Sequence, residues 1–193
     1  MKPVISFVIP AYNEEKYIGA CLDSILRQNG LPEHEIIVVD NNSEDGTAAE
    51  VQKFPLVRLV KESEQGMTKA RNAGAEEASG DILVFFDADV IVPADWTQKT
   101  LSLFEHDPAL AGVSGPYKFY DLPWRYKYIE FMDFRILYPA AELILNRILH
   151  TGSLWVGGNI AVRREQFIKA GGFEESIIFF GEDMELPARM IKQ

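Results

Sequence analysis

Apolar residues along this chain come as short solid runs, separated by stretches where they recur every three or four positions. The runs at residues 5–9, 35–39, 57–60 and 81–86 predict strands. Past Glu35 the second of these is wholly apolar, as expected of a strand covered on both faces. Between them, residues 14–28 place Ile18, Leu22, Ile25 and Leu26 near helical spacing, with Asn13 or a neighbour as the expected cap. Residues 45–54 predict a short helix closed by Pro55, and residues 67–78 an Ala-rich helix ended by Gly80. Strands alternating with helices indicate βαβ units and a mostly parallel sheet.

The second half is less regular. Residues 96–105 predict a helix and residues 112–115 a strand. Residues 122–149 are rich in aromatics, including Trp124, Tyr126, Tyr128, Phe131, Phe134 and Tyr138, and predict one or two helices interrupted near Pro139. Gly157-Gly158 and Gly171-Gly172 bracket a strand-helix unit at residues 159–170. A last helix is expected at residues 184–191, and the end at Gln193 reads as a truncation. No repeat, low-complexity tract or linker divides the chain.

Composition narrows this picture. At 193 residues the chain suits one domain, and 47% hydrophobic with 25% charged residues is ordinary for a folded protein. The net charge of −10 argues against nucleic acid as a partner, because phosphate backbones are bound by clustered Lys and Arg. A lone cysteine, Cys21, allows neither an internal disulfide nor a cysteine-based zinc site and fits a reducing, cytoplasmic setting. Residues 4–9 are broken by Pro10 and do not form an export signal. The longest apolar candidate, residues 129–149, carries Glu130, Asp133, Arg135, Glu142 and Arg147. It suits peripheral contact with a membrane surface rather than a crossing.

Ligands of an open parallel sheet bind beyond the carboxyl ends of its strands, and the polar clusters of the first half follow those ends. Asp87 and Asp89 flank Ala88 after the fourth strand. Two close carboxylates need a cation or a shared proton, and hard oxygen ligands suit Mg²⁺ or Mn²⁺; the bland alternative is a pair of solvated turn aspartates. Asp40 could accept a hydrogen bond from a base or a ribose, or cap the next helix. Tyr12 offers a stacking face or is simply exposed, and Asn13 and Glu14 could be no more than a helix start. Lys69 and Arg71 could meet phosphate, position a carboxylate, or lie on a solvated helix face, and Gly74 would permit close packing. Glu182 and Asp183 could supply a general base or simply favour the first turn of a helix.

Taken together, these segments resemble the family 2 inverting glycosyltransferases of the GT-A fold. The resemblance rests on Val8-Ile-Pro-Ala-Tyr-Asn-Glu-Glu15, Val39-Asp-Asn-Asn-Ser-Glu-Asp-Gly-Thr47, Ala70-Arg-Asn-Ala-Gly74, Phe86-Asp-Ala-Asp89, Gly158-Asn-Ile-Ala-Val-Arg-Arg164, Gly171-Gly-Phe173 and Gly181-Glu-Asp183, in family order. It implies a single α/β GT-A (Rossmann-like) domain, with a mostly parallel central sheet flanked by helices. Residues 1–115 would be the nucleotide-sugar half and residues 116–193 the acceptor and catalytic half. Pro10, Tyr12 and Glu14 would line the base and ribose pocket, and Asp40 would bind the base, usually uracil. Lys69, Arg71, Asp87 and Ala88 would border the donor, and Asp89 would bind the metal, Mn²⁺ or Mg²⁺. Gly158 and Asn159 would border the sugar and acceptor, and Asp183, with Glu182 beside it, would be the catalytic base.

The implied reaction moves a sugar from a nucleotide-diphosphate sugar to a hydroxyl of a glycan or lipid-linked acceptor, with inversion. No Gln/Arg-x-x-Arg-Trp motif follows Asp183, which argues against a processive polymerase. A non-catalytic nucleotide-sugar-binding subunit is one alternative. A sugar-phosphate nucleotidyltransferase is another, disfavoured because acidic Glu14 and Glu15 stand where a basic Gly-rich loop would hold a triphosphate. A nicotinamide-binding domain is disfavoured by the lack of Gly-x-Gly-x-x-Gly after the first strand.

Overall fold

A computed structural model describes residues 4–120, 123, 126, 133–144, 154–177 and 181–191. β1 (Ile5–Ala11), β2 (His34–Asp40), β3 (Val57–Lys61) and β4 (Ile82–Phe86) alternate with α1 (Ile18–Leu26), α2 (Thr47–Val51) and α3 (Met67–Glu77). Then follow α4 (Trp96–His106), β5 (Gly112–Ser114), α5 (Tyr138–Glu142), β6 (Asn159–Arg163), α6 (Arg164–Ala170) and α7 (Glu182–Ile191). The sheet order is β3-β2-β1-β4-β6-β5. β3, β2, β1 and β4 are parallel, while β6 is antiparallel to both β4 and β5.

The strands are apolar on both faces because both faces are covered. Ile5, Phe7 and Ile9 face one way, onto Ile18, Leu22 and Ile25 of α1. Val8, Ile37, Val39 and Phe85 face the other way, onto Ala70 and Ala75 of α3, joined by Phe167, Phe173 and Leu186. Gly74 lets α3 lie close to the sheet: a Cβ there would stand 2.3 Å from Val8 Cγ1. Register then fixes the working rim. Ala11 pairs with Asp40 and Asp40 with Lys61, so β1, β2 and β3 end together. Phe86 pairs with Asn159, so the antiparallel β6 begins where β4 ends.

Two expectations need correction. Helix α1 starts at Ile18 rather than residue 14, and no side chain caps it. Asn13 instead takes a left-handed φ of 57° in the preceding loop. Near Pro139 the chain changes helix type rather than breaking. A π-helical turn, Asp133–Leu137, leads into α5, and the proline, which has no N–H to donate, stands in the first turn of α5 at that change. The rest of the aromatic stretch, including Trp124, Tyr128 and Phe131, lies outside the described residues. Among the described residues, no helix is long and apolar enough to cross a membrane.

The opposite rim is pinned by a partly buried polar cluster. Ser6 Oγ donates to Glu35 Oε1 (2.6 Å), as do the N–H (2.7 Å) and Oγ (2.9 Å) of Ser79. Burial alone would raise the Glu35 carboxyl, but these donors hold it below its ordinary value. A depressed carboxyl stabilises the fold above its unfolded pKa of about 4.3 and loses that contribution as pH falls through its folded value. Glu35→Gln is therefore expected to cost about 1 kcal/mol at pH 7. The difference from the parent protein, read from urea midpoints, should shrink towards zero in acid.

Candidate functional site

Two loops build the rim and tie each other down. In the loop after β1, the N–H of Asn13 donates to Ser43 Oγ (3.0 Å), that of Glu14 to Thr47 Oγ1 (2.7 Å), and that of Glu15 to Asp45 Oδ2 (3.1 Å). In return the N–H groups of Glu44 and Gly46 donate to Asn13 Oδ1 (2.8 Å) and Glu15 Oε2 (3.0 Å). The conformation that kept residues 12–17 out of α1 is thus bought by contacts about 30 residues away. The side chain of Asp45 accepts from the Thr47 N–H and serves the start of α2. Asp40 is left to accept from the N–H of Ser43 (3.1 Å) at the buried end of β2.

Two cavities open along this rim, where the strand order reverses between the neighbouring strands β1 and β4. The smaller, about 420 Å³, is lined by Pro10, Tyr12, Glu14, Asn41, Gly66 and Ala88, among others. The larger, about 550 Å³, is lined by Trp96, Tyr117, Lys118, Tyr120, Gly158 and Asn159, among others. Asp87 and Asp89 line both and form the wall between them. Of the remaining residues singled out by sequence, Asp40, Lys69, Arg71 and Asp183 line neither cavity.

Arg71 does not lie on a solvated face. It is 1% exposed, and its Nη2 donates to Asp87 Oδ1 at 3.0 Å. Its guanidinium also lies over the Phe173 ring, 5.4 Å from the centroid. Of the roles open to it, positioning a carboxylate is the one this geometry displays. Lys69 pairs with Glu64 at the surface. The Tyr117 hydroxyl lies 3.4 Å from both Asp87 Oδ2 and the Gly157 carbonyl. Gly158 admits no side chain, since a Cβ there would come within 2.0 Å of Asp87 Oδ2 and 2.2 Å of the Tyr117 oxygen. Asn159 spends its amide structurally, accepting from Trp96 Nε1 (3.0 Å) and donating to the Gly115 carbonyl (3.0 Å).

The electrostatics of the cleft are those of crowded acids. Burial, then Asp89, Asp45 and Asp87, raise the Glu14 carboxyl. Burial, followed by the same aspartates at 89 and 87 and by Glu14, pushes the Cys21 thiol up to about 12. The Tyr117 hydroxyl is likewise held well above its ordinary value by burial and then by Asp87. Among the described residues, no group of three His, Cys, Asp or Glu side chains gathers as a self-sufficient metal site. The donor set still fits a divalent ion that takes one or two carboxylates and completes its shell from substrate phosphates, as Mg²⁺ commonly does.

Asp183 lies in the first turn of α7 and is half-buried. The side chain of Glu182 lies outside the described residues. One turn further on, Leu186 is fully buried among Trp155, Ile160 and Phe173. Tyr117 and Asn41 were missed from sequence. A signal for Tyr117 was its place just past the carboxyl end of β5. Asn41 had one in its position next to Asp40: its Nδ2 donates to the carbonyls of Glu62 (3.1 Å) and Glu64 (2.9 Å), and its Oδ1 accepts from the Gly66 N–H (2.7 Å). It thereby holds the far wall of the smaller cavity.

The acidic cleft thus lies at the switch point of a doubly wound α/β sheet, the place where ligands of such sheets bind. The chain belongs to glycosyl transferase family 2, whose sequence model matches residues 6–171. It is similar to an uncharacterized glycosyltransferase of Haemophilus influenzae, with 27% identity over 90% of this chain and 58% of that protein. It is also similar to the mannosyltransferase PcManGT from Pyrobaculum calidifontis, solved in complex with GDP-Man and Mn²⁺. That match has 28% identity and a TM-score of 0.72, covering 96% of this chain and 51% of that one. TarS of S. aureus, solved with UDP-GlcNAc, shares the fold at a TM-score of 0.74 and 22% identity, over 99% of this chain and 53% of that one. The fold is therefore GT-A, and the chain spans between half and three-fifths of these three relatives.

Proposed function

We propose that this chain transfers a sugar, with inversion, from a nucleoside-diphosphate sugar to a hydroxyl of a glycan or lipid-linked acceptor. UDP is the nucleotide that the sequence resemblance implies. The observation carrying this reading is the shared wall of Asp87 and Asp89 between two cavities, with Asp87 clamped by the buried Arg71. The smaller cavity suits a base and ribose, with Tyr12 as a stacking face and Pro10 and Glu14 at the edge. The larger cavity, bordered by Gly158 and Asn159, suits the sugar and its acceptor. Family membership and the Mn²⁺ and GDP-Man complex of the 28% identical relative support the donor class.

Asp89, with Asp87 beside it, would hold a divalent ion, Mn²⁺ or Mg²⁺, together with the donor diphosphate. When bound, such an ion supplies charge neutralisation for the departing diphosphate. Arg71 holds Asp87 in one orientation throughout. Asp183 accepts the proton of the acceptor hydroxyl, and that oxygen forms its bond to the sugar C1. The bond from C1 to the diphosphate breaks on the opposite face, and its electron pair leaves with the nucleotide. Support for Asp183 is its motif and its place on a helix seated by Leu186 against Trp155 and Ile160.

The test is a panel of UDP- and GDP-sugars, with and without Mn²⁺, read by calorimetry and by nucleotide release. Asp89→Asn is expected to lose the Mn²⁺-dependent part of donor binding. Asp183→Asn is expected to keep donor binding and lose roughly 10²–10⁴-fold in turnover. Full turnover in Asp183→Asn would remove the base from its role. Failure of every nucleotide sugar to bind would overturn the reading.

A further inference from the structure

Two motif elements have no part in the reaction as described: Asn72 on α3 and the turn Gly171-Gly172-Phe173 after α6. The fold brings them together directly beneath Arg71. Asn72 grips the Phe173 backbone from both sides, accepting from its N–H (2.9 Å) and donating to its carbonyl (2.9 Å). Gly172, at a left-handed φ of 75°, lies so near that a Cβ would stand 2.8 Å from Asn72 Oδ1. So clamped, the Phe173 ring is 2% exposed and packs edge-on to Phe85 (5.0 Å between centroids). Its face meets the Arg71 guanidinium, and Arg71 in turn holds Asp87. From the other side, Arg189 of α7 donates to the Gly172 carbonyl at 2.7 Å. The turn therefore touches both the support of Asp87 and the helix that carries Asp183.

We propose that Phe173, clamped by Asn72, is a positioning residue for the transfer reaction: its ring seats the Arg71 guanidinium and thereby sets the orientation of Asp87. The kinetic consequence rests on the function proposed above, whereas the geometric one does not. A guanidinium is drawn to the electron-rich face of an aromatic ring within about 6 Å. Leucine offers neither the face nor the volume, so the guanidinium is free to sink away from the carboxylate. Neither Phe173 nor Arg71 lines the smaller cavity, and of the residues named in its wall only Asp87 rests on this support, so binding of the nucleotide without metal is spared.

Phe173→Leu and Asn72→Ala are made in the full chain and compared with the parent by melting temperature, crystal structure, UDP or GDP affinity and kcat. Both variants are expected to show Arg71 Nη2 moved out of hydrogen-bond reach of Asp87 Oδ1. The kcat should fall about 10- to 100-fold, as for a misplacement of about 1 Å. Nucleotide Kd, measured without metal, should change by less than about threefold, a split that general loosening of the fold would not produce. An Arg71–Asp87 contact that persists in the folded variants overturns the proposal, as does a displaced contact with unchanged kcat. Should Phe173→Leu fail to fold, Asn72→Ala decides by the same criteria. Should the parent bind no nucleotide sugar, the proposed function fails by itself, and the crystallographic contact decides the positioning role.

Discussion

Gly158→Ala is expected to lower sugar transfer by 100-fold or more, at about the cost of a 1 Å misplacement in a reacting site. The reason is steric and local. The new methyl would stand 2.0 Å from Asp87 Oδ2, 2.2 Å from its Cγ and 2.2 Å from the Tyr117 oxygen. All three distances are far inside contact, so something must move. Asp87 can retreat only by leaving Arg71, and Tyr117 only by giving up its place between Asp87 and the Gly157 carbonyl. Gly158 immediately precedes β6 at the cleft end of the sheet, so the strain falls on the site rather than on the core strands, and the variant should fold and melt within a few degrees of the parent. The measurement is kcat/KM at saturating Mn²⁺ alongside a melting curve. Parent-like activity would mean that Asp87 has no need of its present orientation.

Arg71 tests the same carboxylate from the opposite side and separates packing from charge. Arg71→Ala empties one of the largest fully buried side-chain sites in the protein. The expected loss is about 3 kcal/mol from the cavity and the broken ion pair. That corresponds to roughly 6–12 °C in a chain of this size. Arg71→Met refills most of the volume without the charge, so it should recover most of the stability. It should not recover activity, because Asp87 then faces Asp89 and Glu14 without its cation. If Met restores both, the role of Arg71 is only to fill space. Lys is not an equivalent substitute, since it lacks the planar face that meets Phe173.

The parts of the fold legible in sequence were those decided by nearest neighbours in the chain. Residues 35–39 read as a doubly covered strand, and β2 is buried on both faces for that reason. Gly74 read as a packing glycine, and the closeness of Val8 and Val39 bears this out. The family and its GT-A fold were legible as well, because seven short motifs in one order are a pattern that no single motif supplies. The start of α1 was misread for a physical reason. Asn13 and Glu14 have the composition of a helix entrance, but the loop at residues 43–47 competes for their N–H groups and wins.

Sequence by itself determined the alternation of strand and helix, the acidic character of the cleft and the placing of its carboxylates past strand ends. These follow from local periodicity and from residue types, which neighbours in the chain suffice to express. Only the tertiary structure decided that β6 runs antiparallel against β4 and so delivers Gly158 to Asp87. It alone decided that Arg71, for which the sequence left a solvated helix face open, is sealed by a phenylalanine 102 positions later. The reason is that an ion pair or a steric limit belongs to two segments at once. Neither segment carries a mark of the other until the sheet has closed.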